Sequence, residues 1–150
     1  MDFRLNDEQL EFQDKCRRFA VEVMRPIADK YDREEAVPWE AIKAAREWGL
    51  HGLDHIQHMA TDADGLYGVI YAEELHWGCA GIALAIQAGG LGAAGIASAG
   101  TPEQIAQWVP ECFGVGDEIK LGAYAVTEAG AGSDVKSLRT PQSSMATSGS

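Results

Sequence analysis

The chain has 150 residues, of which 46% are hydrophobic and 23% charged, and a net charge of −11; its isoelectric point lies near 4.6. That length builds one domain with a real core, and the hydrophobic content excludes a disordered chain. The acidic excess excludes a nucleic-acid partner, because no basic patch is there to neutralise phosphates.

Asn6-Asp-Glu-Gln9 predicts a helix start, with Asn6 capping the free amides and Gln9 reaching back. Phe12, Cys16, Phe19, Val23 and Ile27 then recur at spacings of three and four, a single apolar stripe. Pro26 should bend or shorten this helix near its end. A second helix is expected from Pro38 to about Trp48, with proline at its first position and Gly49 closing it left-handed. Its Trp39, Ile42, Ala45 and Arg46 suggest a half-buried face. A third covers residues 65–77, with Leu66, Val69, Ile70 and Leu75 inward, Glu73 and Glu74 outward, and Gly78 at its end.

Residues 79–100 carry no charge and are long enough to span a bilayer. They are mostly Ala and Gly, include Gln87 and lack the Lys, Arg or aromatic anchors of a span. The expectation is therefore two helices, 80–87 and 91–98, tightly packed in the middle of a bundle. Thr101-Pro-Glu-Gln104 is another capped start, for a helix that should stop before Pro110. After a loop at Gly114-Val-Gly-Asp117 the pattern switches to strand at Leu121. A long helical stretch followed by a strand outlines an α-bundle leading into a β domain.

Cys16, Cys79 and Cys112 are odd in number and far apart, which predicts reduced, partly buried thiols in a reducing compartment. The N-terminus, Met1-Asp-Phe-Arg-Leu-Asn-Asp-Glu-Gln, fits neither a secretory signal nor a transit peptide, so a soluble cytoplasmic protein is expected. His51, His55 and His58 share a helical spacing that invites a metal. Gly49 and Gly52 argue against a continuous helix there and no further cluster completes a site, so an exposed histidine-rich loop and no metal are expected. Glu34-Glu35 and Asp62/Asp64 read as solvated faces, and His76 beside Trp77 as a capping or surface residue.

Leu121-Gly-Ala-Tyr-Ala-Val-Thr-Glu-Ala-Gly-Ala-Gly-Ser-Asp-Val-Lys-Ser137 reads as a short strand running into a glycine-rich turn. Tyr124 and Val126 suit a strand. Gly130 and Gly132 let the backbone take conformations closed to other residues and approach a ligand closely. Consecutive amides in such a turn form an anion-binding concavity, so a phosphate-bearing cofactor is a reasonable guest.

The spelling from Ala125 to Ser137 resembles the signature of the acyl-CoA dehydrogenases, which are flavoproteins; Ala129 stands where many members have proline. Leu5-Asn-Asp-Glu-Gln-Leu10, Arg25-Pro26-Ile27-Ala28, Tyr31-Asp-Arg-Glu-Glu35, Glu73-Glu74-Leu75 and Ala99-Gly-Thr-Pro-Glu-Gln104 are similar to family wording too. The resemblance covers about residues 2–139 and departs in the loop after Gly52, where the family has a Pro-Glu-Glu-Tyr-Gly-Gly-like run. It implies a mainly α fold: an N-terminal helical domain over 1–113, the first strand of a truncated middle β domain over 114–139, and a tail outside the family pattern over 140–150.

By the same resemblance, Tyr124, Ala125, Val126, Thr127, Gly132 and Ser133 bind FAD, through backbone amides and the Thr127 hydroxyl. Ser133 also touches the acyl-CoA substrate. No catalytic residue is implied here: Glu128 is structural, and the base belongs to a C-terminal helical domain. The implied chemistry converts acyl-CoA to 2-enoyl-CoA with FAD as hydride acceptor, and electrons pass to an electron-transfer flavoprotein. Homo-oligomers are the rule in the family.

After Arg139-Thr140 the chain reads Pro141-Gln-Ser-Ser-Met-Ala-Thr-Ser-Gly-Ser150 instead of family wording. Back-translated and read in the frame starting on each third base, it allows Ala-Ala-Val-Leu-Asp-Gly-Asp-Glu-Trp-Val, the family's continuation, of which only one glycine is forced. A frameshift near residues 139–140 and a truncated enzyme with little turnover alone are therefore expected. The alternatives are a helical interaction module pairing with a separate chain, or an inactive remnant.

Overall fold

The computed structural model describes residues 4–141, and the tail expected over 140–150 lies outside them except for Thr140 and Pro141. Helix α1, Asp7–Phe19, opens on the expected capping box. Asn6 Oδ1 accepts from the Gln9 N–H at 2.8 Å, and Gln9 Oε1 accepts from the Asn6 N–H at 3.0 Å. Pro26 does not end the helical run. One π-turn, Ala20–Met24, intervenes, and α2 continues over Arg25–Glu34. The Arg25 N–H reaches back five residues to the Ala20 carbonyl. That wider turn shifts the hydrogen-bond register just where the proline ring would crowd a carbonyl and withhold its own N–H.

Helix α3, Trp39–Glu47, starts one residue after Pro38, and Gly49 takes the left-handed conformation expected of it. Helix α4 follows over Leu53–Ala60 and α5 over Leu66–Gly78. Asp62 is no idle solvated acid, since its carboxylate accepts from the Tyr67 N–H at 2.9 Å and caps the first turn of α5.

The face of α5 differs from the expected one. Ile70 and Leu75 are buried as expected, but Leu66 and Val69 are exposed and Glu74 is only 2% exposed. Helix α1 packs along α5, and there Glu74 ion-pairs with Arg17 Nε and accepts from Gln13 Nε2 at 3.0 Å. A carboxylate enters the interior when partners fill its lone pairs. Arg17 also lies 3.9 Å above the Trp77 ring, which Arg25 approaches at 4.7 Å.

Helices α6, Ala80–Gln87, and α7, Gly89–Ala99, run almost continuously through Ala88. They do not lie in the middle of the bundle. Residues 80–99 are long and apolar enough to cross a membrane, and only 28% of that window is buried. Ile82, Ala83 and Ile86 face the core while Leu84 and Leu91 stay more than half exposed. Helix α8, Pro102–Glu111, has the second capping box and runs past Pro110 to Glu111. Pro110 forgoes the bond to the Ala106 carbonyl, and the helix closes one residue after it.

The core joins Cys16, Phe19 and Met24 with Ile42, Leu50, Tyr71, Leu75 and Ile86. The Tyr71 hydroxyl donates to the Leu50 carbonyl at 2.6 Å, and burial raises its pKa. Burial also pushes the Cys16 thiol up to about 12, making it an inert core group. Among the described residues no strand forms. Beyond Leu121 there is one isolated antiparallel bridge, Glu128 to Ala131, and a short 3₁₀ turn, Val135–Ser137. The strand expected at Leu121 fails for want of a neighbour, since a strand exists only through its ladder.

Replacing Arg17 by Ala strands a buried carboxylate on Gln13 alone. A loss of about 2 kcal/mol in urea unfolding is expected, below the usual cost for a fully buried pair because Arg17 is partly exposed. Arg17→Met combined with Glu74→Met should regain at least half of it.

Candidate functional site

The glycine-rich turn is reached by a crossing that the helices build. Arg46, on α3, gathers four carbonyls: Phe113 at 3.3 Å, Gly114 at 3.2 Å, Gly116 at 3.1 Å and Glu118 at 3.2 Å. A guanidinium carries five donors in a fixed fork, so one side chain holds a loop whose own amides find few partners. Gly114 and Gly116 bend it with positive φ. Lys120 N–H then bonds the Phe113 carbonyl at 3.2 Å and Gly122 N–H the Cys112 carbonyl at 2.9 Å.

Next the segment lies against α7. A Cβ on Gly89 would stand 2.7 Å from the Cys112 carbonyl oxygen, one on Gly92 3.2 Å from the Ala123 carbonyl oxygen, and one on Gly95 2.9 Å from the Tyr124 ring. These glycines recur every third residue, forming one bare stripe on the helix. The sequence reading assigned the small residues to helix–helix packing. Their partner here is the irregular chain entering the motif, and the three-residue glycine spacing was the signal for it.

Within the motif, the two carboxylates are consumed locally. Glu128 accepts from the Arg139 N–H at 2.9 Å, the Thr140 N–H at 3.0 Å and the Thr140 hydroxyl. Those bonds lower its pKa, the Thr140 hydroxyl contributing most. Asp134 caps the 3₁₀ turn, accepting from Lys136 N–H at 3.2 Å and Ser137 Oγ at 2.6 Å. The structural reading of Glu128 therefore has a geometry.

Tyr124, Ala125, Thr127, Gly132 and Ser133 are exposed and Val126 is half-buried. Among the described residues, the hydroxyls of Thr127 and Ser133 and the backbone N–H groups of residues 124–127, 132 and 133 have no hydrogen-bond partner. The structure brings these residues onto one short stretch without bonding them to each other. Gly130 and Gly132 do not adopt positive φ, contrary to the expectation. The bridge between Glu128 and Ala131 closes the turn with ordinary backbone angles, and a Cβ on either glycine would meet nothing within 4 Å. What they supply is open approach to the backbone.

Residues 6–114 match the family of the acyl-CoA dehydrogenase N-terminal domain. The chain belongs to the acyl-CoA dehydrogenase family. It is 33% identical over 141 residues to a probable medium-chain specific acyl-CoA dehydrogenase 2 of Caenorhabditis briggsae, covering 93% of this chain and 34% of that protein. Acryloyl-CoA reductase (NADH) of Anaerotignum propionicum is also 33% identical, over 93% of this chain and 35% of its own length. A short-chain specific acyl-CoA dehydrogenase of Clostridium acetobutylicum is 33% identical, over 93% and 37%. The chain thus spans about a third of the length of these relatives.

The histidines depart from expectation. His51 and His55 are buried, and α4 carries His55 and His58 on a real helix. An exposed loop is therefore wrong: the aromatic rings Phe12, Tyr67, Tyr71 and Phe113 pack around the three imidazoles. Among the described residues no group of three His, Cys, Asp or Glu could hold a metal. His76 sits at the surface and donates to the Ala72 carbonyl at 2.8 Å.

Gly89→Ala should cost about 1–3 kcal/mol, because a backbone carbonyl must move, and should speed hydrogen exchange at the Gly122 amide. Gly90→Ala, whose Cβ would meet only Ile56 at 4.0 Å, should be neutral or stabilise by up to about 1 kcal/mol.

Proposed function

We propose that this chain is the N-terminal helical part and flavin-contact turn of an FAD-dependent enzyme acting on acyl-CoA thioesters. The observation that carries the reading is the division of labour in the motif. Its carboxylates hold the turn, while the Thr127 and Ser133 hydroxyls stay exposed and a run of amides over residues 124–127 has no partner among the described residues. On this reading the amides of residues 124–127 and the Thr127 hydroxyl bond the edge of the flavin ring and orient it. Gly132 and Ser133 approach its phosphates, and Ser133 also meets the acyl-CoA.

When bound, FAD would supply a hydride acceptor for oxidation of saturated thioesters to 2,3-unsaturated ones, and in its reduced form a hydride donor for the reverse. Relatives named dehydrogenase and reductase share this domain at equal identity, so the reading covers both directions. Glu128 takes no proton in this scheme, because its oxygens are committed to Arg139 and Thr140. The base belongs to another part of the family's fold, and the chain by itself is read as having little turnover. The domain division at residues 113 and 139 belongs to the proposal too.

The exposed apolar side of α6 and α7, with Leu84 and Leu91, favours burial against further protein: the β domain, another subunit, or a separate chain completing the enzyme. Electron-transfer flavoprotein as redox partner, homo-oligomers and a cytoplasmic, reducing location complete the proposal; the free cysteines support the last.

FAD titrated into the ¹⁵N-labelled chain, to about 1 mM or above for a site worth roughly 4 kcal/mol, should shift amides at residues 124–133 and spare α3. Thr127→Val with Ser133→Ala should weaken the response severalfold. Unmoved amides across 124–133, or shifts scattered over the surface, would contradict the reading.

A further inference from the structure

Between α4, α5 and the end of α6 lies a cavity of about 190 Å³, separate from the glycine-rich turn. Leu50, Tyr71 and Phe113 give it apolar and aromatic walls, and His51, His55 and Gln87 give it polar ones. In each of those three side chains a buried nitrogen lacks any hydrogen-bond partner: His51 Nε2, His55 Nε2 and Gln87 Nε2. Both histidines are more than nine-tenths buried. Native interiors rarely leave one such atom unpaired, so three around one cavity call for a guest.

Two of the three nitrogens, those of His51 and Gln87, have assigned roles. His51 Nδ1 lies 3.0 Å from the Ile86 carbonyl, which only accepts, so the ring proton sits on Nδ1. Its Nε2 therefore offers a lone pair. Gln87 Nε2 offers N–H groups. Burial lowers the pKa of both histidines, that of His55 to about 4, so the walls are uncharged at neutral pH. A charged guest would find no counter-charge. A hydroxyl fits both needs at once, donating to His51 and accepting from Gln87. An apolar cavity of about 150 Å³ takes up benzene, so this one has room for a six-membered ring with a small substituent.

We propose that the His51–His55–Gln87 cavity is a binding site for an uncharged, ring-sized alcohol of the phenol class. The ring packs against Tyr71 and Phe113, and the hydroxyl bridges His51 Nε2 and Gln87 Nε2. The proposal does not depend on the flavin reading.

The test uses the full chain and two probes of one shape, phenol and toluene, followed through the imidazole Cε1–H signals of His51 and His55. Phenol should shift both saturably and bind at least tenfold more tightly than toluene. Gln87→Met, which keeps volume, should reduce phenol binding at least fivefold and leave toluene unchanged; Gln87→Glu serves as a second variant if that protein fails to fold. Equal binding of both probes would overturn the proposal, because the polar atoms would then play no part. Binding of neither, with ordered waters on the three nitrogens in a crystal structure, would overturn it as well.

Discussion

The path of the chain into the site depends on one constraint, the absence of side chains along one stripe of α7. Gly89 lets Cys112 approach the helix closer than a methyl group would permit, while a Cβ on Gly92 would crowd the Ala123 carbonyl at 3.2 Å and one on Gly95 would push the Tyr124 ring aside. Arg46 completes the arrangement from the other side by collecting the loop's carbonyls. Neither device suffices alone. The glycines allow close approach without attracting anything, and the arginine gathers the loop without setting its distance from α7. Together they deliver the motif to a defined place although it has no ladder of its own.

A second pattern runs through the molecule: side chains that turn inward or fold back onto the chain are met by hydrogen-bond partners. Glu74 is held by Arg17 and Gln13, which ties α1 to α5 in one register. Glu128 and Asp134 do similar work in the motif with backbone amides. Only the imidazoles and amide around the α4 cavity break the pattern, with nitrogens left unpaired.

Local signals were legible in the sequence because they act within one turn of chain. The boxes at Asn6/Gln9 and Thr101/Gln104, the left-handed Gly49 and the placement of the glycine-rich turn all belong to that class. So does the mainly helical fold, since apolar spacing of three and four is written along each helix. The burial of Glu74 was not legible, because its partners lie 61 and 57 positions away. Pro26 and Pro110 misled because their cost depends on where they fall in a turn. The histidines misled because glycines flanking a segment do not prevent a helix beginning immediately after them. The candidate residues Thr127 and Ser133 were read from wording alone, and what the sequence could not supply was that their neighbours Glu128 and Asp134 would be occupied.

The central claim is that the motif's entrance lies on the bare stripe of α7, and proton–proton cross-relaxation reads that contact directly. A nuclear Overhauser spectrum of the chain should show strong cross-peaks from the Gly95 α-protons to the Tyr124 ring. The Gly92 α-protons should likewise contact Ala123, and the ring current should move the Gly95 signals away from their ordinary shifts. Gly95 α-protons at ordinary shifts, without cross-peaks to Tyr124 in a folded sample, would contradict the account.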